Sequence, residues 1–212
     1  MPIDRRRILE LSGATGLAMA AGVLPTITPA YAEDFSDLLE PGPMGEKSIG
    51  KDDAPVTIIE YASMTCPHCA TFHQTILPTI QEKYIDTGKA RLLFREFPFD
   101  PRAMAAFMLA RCAPDGMYFP MIDVLFKQQT KWTRAKDPVP VLQNIAKLAG
   151  FTQESFEACL KNQKVLDSVM AVQKKAAKDY GVNATPFFFI NGEKFTGDHT
   201  IEGMSKAIDA AM

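Results

Sequence analysis

The chain has 212 residues, 47% of them hydrophobic, and balances 23 Lys and Arg against 25 Asp and Glu for a net charge of −2. That length suits one domain, or one domain carrying a large insertion. The even charge balance argues against nucleic acid or an anionic membrane as partner, and neither an internal repeat nor a low-complexity tract is present.

The first residues read MPIDRRRILELSGATGLAMAAGVLPTITPAYAEDF. Arg5, Arg6 and Arg7 precede an uncharged stretch between Glu10 and Glu33, which ends in the small-residue pattern Ala30-Tyr31-Ala32. Residues 1–32 are therefore expected to be a cleavable secretory signal peptide. The paired arginines and the weakly hydrophobic middle resemble a twin-arginine export signal. An uncleaved anchor is disfavoured, because Gly13, Gly16, Gly22, Pro25 and Pro29 interrupt the run and a span needs about 20 predominantly apolar residues. No cysteine marks the cleavage point, which argues against a lipoprotein. The mature protein is expected outside the cytosol, in a periplasm or beyond it.

Residues 33–46 read as a flexible N-terminal segment. "APVTIIEYAS" then carries Val56, Ile58 and Ile59 and predicts a buried strand. The stretch "MTCPHCATFH" follows at once, and Phe72, Ile76, Ile80 and Tyr84 continue it at helical spacing. Pro78 should kink that helix, because it lacks an N–H and crowds the preceding turn. "ARLLFREFPF" is the next strand. From residue 98 to 180 the pattern is helical: "PRAMAAFMLARCA", "MYFPMIDVLFKQQTKW", "VPVLQNIAKLAG", "TQESFEACLKN" and "KVLDSVMAVQKKAAKDYG". Thr152 is an expected N-cap, and Gly150 and Gly181 are expected helix stops. "TPFFFI" is a short dense strand, Asn191-Gly192 a hairpin turn, "EKFT" the return strand, and Thr200 caps a last helix.

All four cysteines lie beyond residue 32: Cys66, Cys69, Cys112 and Cys159. Outside the cytosol, four cysteines read first as two disulfides. The spacing of Cys66 and Cys69 favours a vicinal pair and leaves Cys112 with Cys159, unless these two are free buried thiols. A structural zinc site needs four ligands, usually in two close pairs. Here the second pair is missing, since Cys112 and Cys159 are isolated and the remaining histidines are His73 and His199. A plain structural disulfide at Cys66–Cys69 would be a weak staple, because so short a loop restricts the unfolded chain little.

Redox chemistry accounts for the motif better. Cys66 falls where a strand gives way to a helix, and the unpaired N–H groups of a helix N-terminus favour an anion. Cys69, one turn on, can attack a mixed disulfide at Cys66. His68 can add an N–H or a positive charge near the Cys66 sulfur, and Pro67 fits the first helical turn. A low-pKa Cys66 would be a good leaving group. His73 reads as a packing or surface histidine, and Trp132 and the methionines of the helical block read as core.

These residues resemble the DsbA branch of the thioredoxin superfamily. Cys66-Pro67-His68-Cys69 matches that family's active-site tetrapeptide, and the element order is similar to its fold from about Lys47 to Ala211. The resemblance implies an α/β, thioredoxin-like domain over 47–97 and 181–212, with an all-helical domain inserted at 98–180. It implies that Thr185-Pro186 is a cis-proline turn facing the disulfide, where substrate docks. It implies that Glu60 is a buried acid beneath the disulfide, in keeping with its apolar neighbours Ile58, Ile59 and Tyr61. No metal or cofactor is implied. The implied partners are reduced exported proteins and a quinone-linked membrane thiol oxidase, with the chain acting as a monomer.

Three functions compete on sequence alone: a thiol oxidase, a disulfide isomerase or reductase, and a non-catalytic binding module. Dimeric isomerases of this superfamily carry an N-terminal dimerisation domain, and Glu33 to Lys47 is too short for one, which favours the oxidase. Thr185 before Pro186 leans towards isomerases and reductases.

Overall fold

In the computed structural model, which describes residues 31–212, a five-stranded mixed sheet carries helices on both faces. The signal peptide read over 1–32 lies outside the described residues except for its last two positions, which open α1 (Tyr31–Leu38). The strands are β1 (Ser48–Ile49), β2 (Val56–Ala62), β3 (Ala90–Glu96), β4 (Phe187–Ile190) and β5 (Glu193–Lys194), in the spatial order β1-β3-β2-β4-β5. The sequence pattern does not reveal β1, a two-residue edge strand antiparallel to β3. The return strand β5 is shorter than "EKFT" suggests.

β2 is the central strand, buried at every position. It runs parallel to β3 and antiparallel to β4, with Glu60 opposite Phe94 and Phe188. Side chains alternate between the two faces of a strand. Val56, Ile58, Glu60 and Ala62 therefore share one face, and Thr57, Ile59 and Tyr61 the other. The first face packs Val56 and Ile58 against Phe72, Ile80, Phe188, Met204 and Ile208. The second packs Ile59, Tyr61, Phe187 and Phe189 against Leu38 and Ala176. Glu60 is thus an acid in an otherwise apolar row.

A parallel pair needs a crossover, and here it is helical: α2 (Pro67–Thr71), a π-helical turn at Phe72–Ile76, α3 (Leu77–Ile80) and a second π-helical turn at Gln81–Ile85. Pro78 lies in α3 and cannot donate to the turn before it. The helix answers with wide turns on either side of α3.

Between β3 and β4 come α4 (Pro101–Cys112), α5 (Tyr118–Lys127), α6 (Gln129–Thr133), α7 (Val139–Leu148), α8 (Gln153–Leu160) and α9 (Gln163–Asp179). Their core of Phe107, Ile122, Phe126, Trp132 and Phe156 is continuous with Ala62, Met64, Cys69 and Phe94 of the sheet half. The last helix is α10 (Ile201–Ala210), capped by the Thr200 side chain, which accepts from the Gly203 N–H at 3.0 Å. Asn191 and Gly192 both have positive φ, 47° and 86°, as a two-residue hairpin of this twist requires. No helix among the described residues is long and apolar enough to cross a membrane.

Residues 33–46 depart from the expectation of flexibility. Part of the segment is helical, Leu38 is buried, and Glu46 takes the Arg95 guanidinium at 2.6 Å. The physical reason lies on β3. Arg95 is only 5% exposed, and a buried cation needs a counter-charge. The polar, proline-rich sequence of the segment gives no sign of that demand.

Candidate active site

The site is built where β2 ends and α2 begins. Cys66 has extended backbone angles, φ −77° and ψ 120°, and caps α2, with Pro67 in the first helical position. Proline there removes an N–H that the helix could not have paired. Pro67 and His68 are exposed, Cys66 is half-buried, and Cys69 is fully buried one turn further along. Both thiols are free in this structure, so the pair is in its dithiol form.

The two sulfurs are driven apart in acidity. Cys66 is lowered to about 5. The largest cause is the hydrogen bond from the Cys69 thiol; burial opposes it, and the Thr185 side chain and the backbone N–H groups of Cys69 and His68 add to it. Cys69 is pushed far up, first by burial, then by its bond to Cys66 and by the negative charge of Glu60. The contribution of His68 comes through its backbone; its exposed imidazole is not among the causes.

Glu60 is fully buried. Its Oε2 lies 2.9 Å from Nε2 of His73, and its Oε1 has no hydrogen-bond partner among the described residues. His73 is buried as well, with ring contacts to Phe72, Phe94 and Phe126. The reading of His73 as a packing or surface residue is incomplete: it is packed, and it is also the polar partner of Glu60. A signal for this exists, because His73 is four residues past Cys69 and so shares its helical face. The π-helical turn at Phe72–Ile76 hides that signal by burying Phe72 and His73 side by side.

Facing Cys66, the Thr185–Pro186 peptide bond is cis, and the Cys66 thiol donates to the Thr185 carbonyl at 3.2 Å. Pro186 is buried and Thr185 half-buried. A shallow cavity of about 390 Å³ opens beside them, lined by His68, Thr71, Ala184, Thr185, Pro186 and His199 among others. His199 stacks on Phe195 at the rim, and loss of hydration holds it below the ordinary imidazole value.

The helical insertion also grips the site. Buried Gln129, in α6, donates to the carbonyls of Met64 and Cys66, both at 2.9 Å. Thr65 donates to Asp100 at 2.6 Å, and Asp100 caps α4 by accepting from the N–H groups of Arg102 and Ala103. Nothing in the sequence pattern marks Gln129, because its partners are backbone atoms more than 60 residues away. Cys112 and Cys159 lie apart from the site, joined to each other across α4 and α8 with 6.1 Å between Cα atoms.

The family model described as Thioredoxin matches residues 44–210. A Rickettsia bellii protein bearing the name protein-disulfide oxidoreductase is 37% identical over 165 residues, covering 77% of this chain and 63% of its own. The chain thus spans about three-fifths of the length of the Rickettsia relatives it matches. A Bacillus anthracis protein named for disulfide bond formation, protein D, is 32% identical over 171 residues, which is 77% of either chain. Among solved structures, alpha-DsbA1 of Wolbachia pipientis superimposes with a TM-score of 0.76 at 35% identity, over 82% of this chain and 94% of that one. BdbD of Bacillus subtilis shares the fold, with a TM-score of 0.70 at 22% identity over 78% of this chain and 92% of its own. With the family matched over most of its length and a vicinal cysteine pair at the head of α2, the chain belongs to the thioredoxin family, in its DsbA-like branch.

Proposed function

We propose that this chain is a thiol:disulfide oxidase that donates a Cys66–Cys69 disulfide to reduced proteins exported from the cytosol. The observation that carries the reading is the split between the two sulfurs: an accessible Cys66 that ionises near 5 above a buried Cys69 held as a thiol. In the oxidised protein, a substrate thiolate attacks the Cys66 sulfur. The Cys66–Cys69 bond breaks, and Cys69 leaves with the electron pair and takes up a proton. A second substrate thiolate then attacks the substrate sulfur of the mixed disulfide. The substrate disulfide forms, and Cys66 leaves as a thiolate. The low pKa of Cys66 makes that last departure easy and disfavours the reverse attack.

Further roles belong to the same proposal. Glu60, beneath Cys69, supplies the proton. Thr185 and Pro186 border the place where an extended substrate pairs with the backbone, a form of strand addition. Pro67 and His68 shape the exposed tip that substrate approaches. Export by the 1–32 signal, action in the periplasm as a monomer, and re-oxidation by a quinone-linked membrane thiol oxidase complete the reading.

An isomerase or reductase is the second reading, favoured by Thr185 before Pro186. Three assays on the purified mature protein separate them: oxidation of a reduced two-cysteine peptide, reduction of insulin, and recovery of scrambled ribonuclease. We expect fast oxidation, lost in Cys66→Ser, and accumulation of mixed disulfides in Cys69→Ala. Fast insulin reduction or ribonuclease rescue without peptide oxidation would replace the oxidase with the second reading.

A further inference from the structure

His73 supports no step described so far, yet it holds the only hydrogen bond found on the Glu60 carboxylate among the described residues. Its setting is specific. Glu60 is fully buried, Cys69 is fully buried, and the His73 side chain is 3% exposed. The rings around His73 are those of Phe72, Phe94 and Phe126, on the crossover helix, β3 and α5. In this apolar enclosure a carboxylate with no donor would be strongly disfavoured. One donor, at Oε2, leaves Oε1 open.

We propose that His73 is a positioning residue for the exchange: its Nε2–H fixes Glu60 through Oε2, so that Oε1 takes the proton from Cys69 and returns it. This rests on the oxidoreductase reading above and adds to it a residue that makes no contact with substrate. Consider a mixed disulfide of Cys66 with glutathione. Cys69 gives its proton to Oε1 of Glu60, and its sulfur attacks the Cys66 sulfur. The Cys66–Cys69 bond forms, the bond from Cys66 to glutathione breaks, and glutathione leaves as a thiolate with the electron pair. In the opposite direction the departing Cys69 sulfur takes the proton back from Glu60. The negative charge moves between Glu60 and Cys69, so the apolar interior never holds a second one. The titratable groups that feel Glu60 are few. Cys69 on α2 feels its charge, and so does His199 in the loop before α10. The facing positions on β3 and β4 are Phe94 and Phe188, and α5 presents Phe126 to His73.

The test is rapid-quench mass spectrometry of the reduced protein mixed with oxidised glutathione. It reads separately the formation of the mixed disulfide at Cys66 and its resolution by Cys69. In His73→Leu, formation should stay within about twofold of wild type, and resolution should slow by at least about tenfold, a part of the roughly 10²–10⁴-fold that positioned acid–base groups contribute. The slow step should also become more pH-dependent, speeding up as rising pH deprotonates Cys69 without the carboxylate. His73→Gln, which keeps an N–H donor, should recover most of the rate. Glu60→Gln should be as slow as His73→Leu, and the double variant no slower than either, as expected of groups acting through one another. Thermal melts accompany each variant. Resolution at the wild-type rate in a folded His73→Leu, or additive losses in the double variant, would overturn the role of His73 alone. Failure of the wild type to form any mixed disulfide would overturn the oxidoreductase reading and this inference with it.

Discussion

Cys66 carries an energetic consequence that a melt can read. In the folded dithiol it ionises near 5, against roughly 8.5 in an unfolded chain. The thiolate therefore stabilises the reduced protein fully above the unfolded value, and that stability is lost as pH falls through about 5. A fully shielded sulfur would gain about 2.7 kcal/mol at pH 7, and half exposure cuts this to about 1–1.5 kcal/mol. Closing the four-residue loop in the oxidised form contributes on the order of 2 kcal/mol. At pH 7 the two forms should thus unfold within about 1 kcal/mol of each other. At pH 4 the oxidised form should be ahead by about 2 kcal/mol. Paired urea melts at the two pH values measure this, and a gap that stays constant would mean that Cys66 is not an activated thiol. At this scale the sequence was informative where chemistry and local order coincide. Cys66, Pro67 and Cys69 follow from a CxxC at a strand-to-helix junction, and Glu60, which is buried, was pointed to by the resemblance to the DsbA branch. His73 was legible only in part, because a π-helical turn changes which residues share the buried face. Gln129 was not legible, since it recognises carbonyls rather than side chains.

The elements around the site explain why the redox pair sits on firm ground. Asp100 serves α4 and the active-site loop at once, through the helix cap and through Thr65. Gln129 ties α6 to the carbonyl of Cys66 itself. The helical insertion is therefore part of the site's framework. Within that insertion, Cys112 and Cys159 are 47 residues apart in sequence and link α4 to α8. By loop length, removing this cross-link should cost about 3–4 kcal/mol. The Cys112→Ala, Cys159→Ala variant should unfold earlier in urea by that amount, with the ionisation of Cys66 unchanged. Equal stability of variant and parent would mean that the cross-link does not form in solution. Helix order was readable through caps and stops, as Thr152, Thr200 and Gly181 illustrate. The docking of residues 33–46 was not, because it depends on a buried arginine on a distant strand.

At the scale of the molecule, one central strand and one irregular crossover helix bring together a thiolate, a buried thiol and a buried acid. The cis-proline turn before β4, the strand next to β2, brings the Thr185 carbonyl to the Cys66 thiol. The alternation of β2 puts Glu60 on the face that packs against the crossover helix, and the register with β3 and β4 sets Phe94 and Phe188 opposite it. The low pKa of Cys66 favours its departure as a thiolate, the property on which the proposed donation of disulfides rests. The most direct measurement is the equilibrium of the Cys66–Cys69 pair in glutathione buffers at pH 7, read by mass after acid trapping. The account predicts a couple more oxidising than the glutathione pool, with a potential above roughly −220 mV. A value near that of thioredoxin, roughly −270 mV, would contradict it.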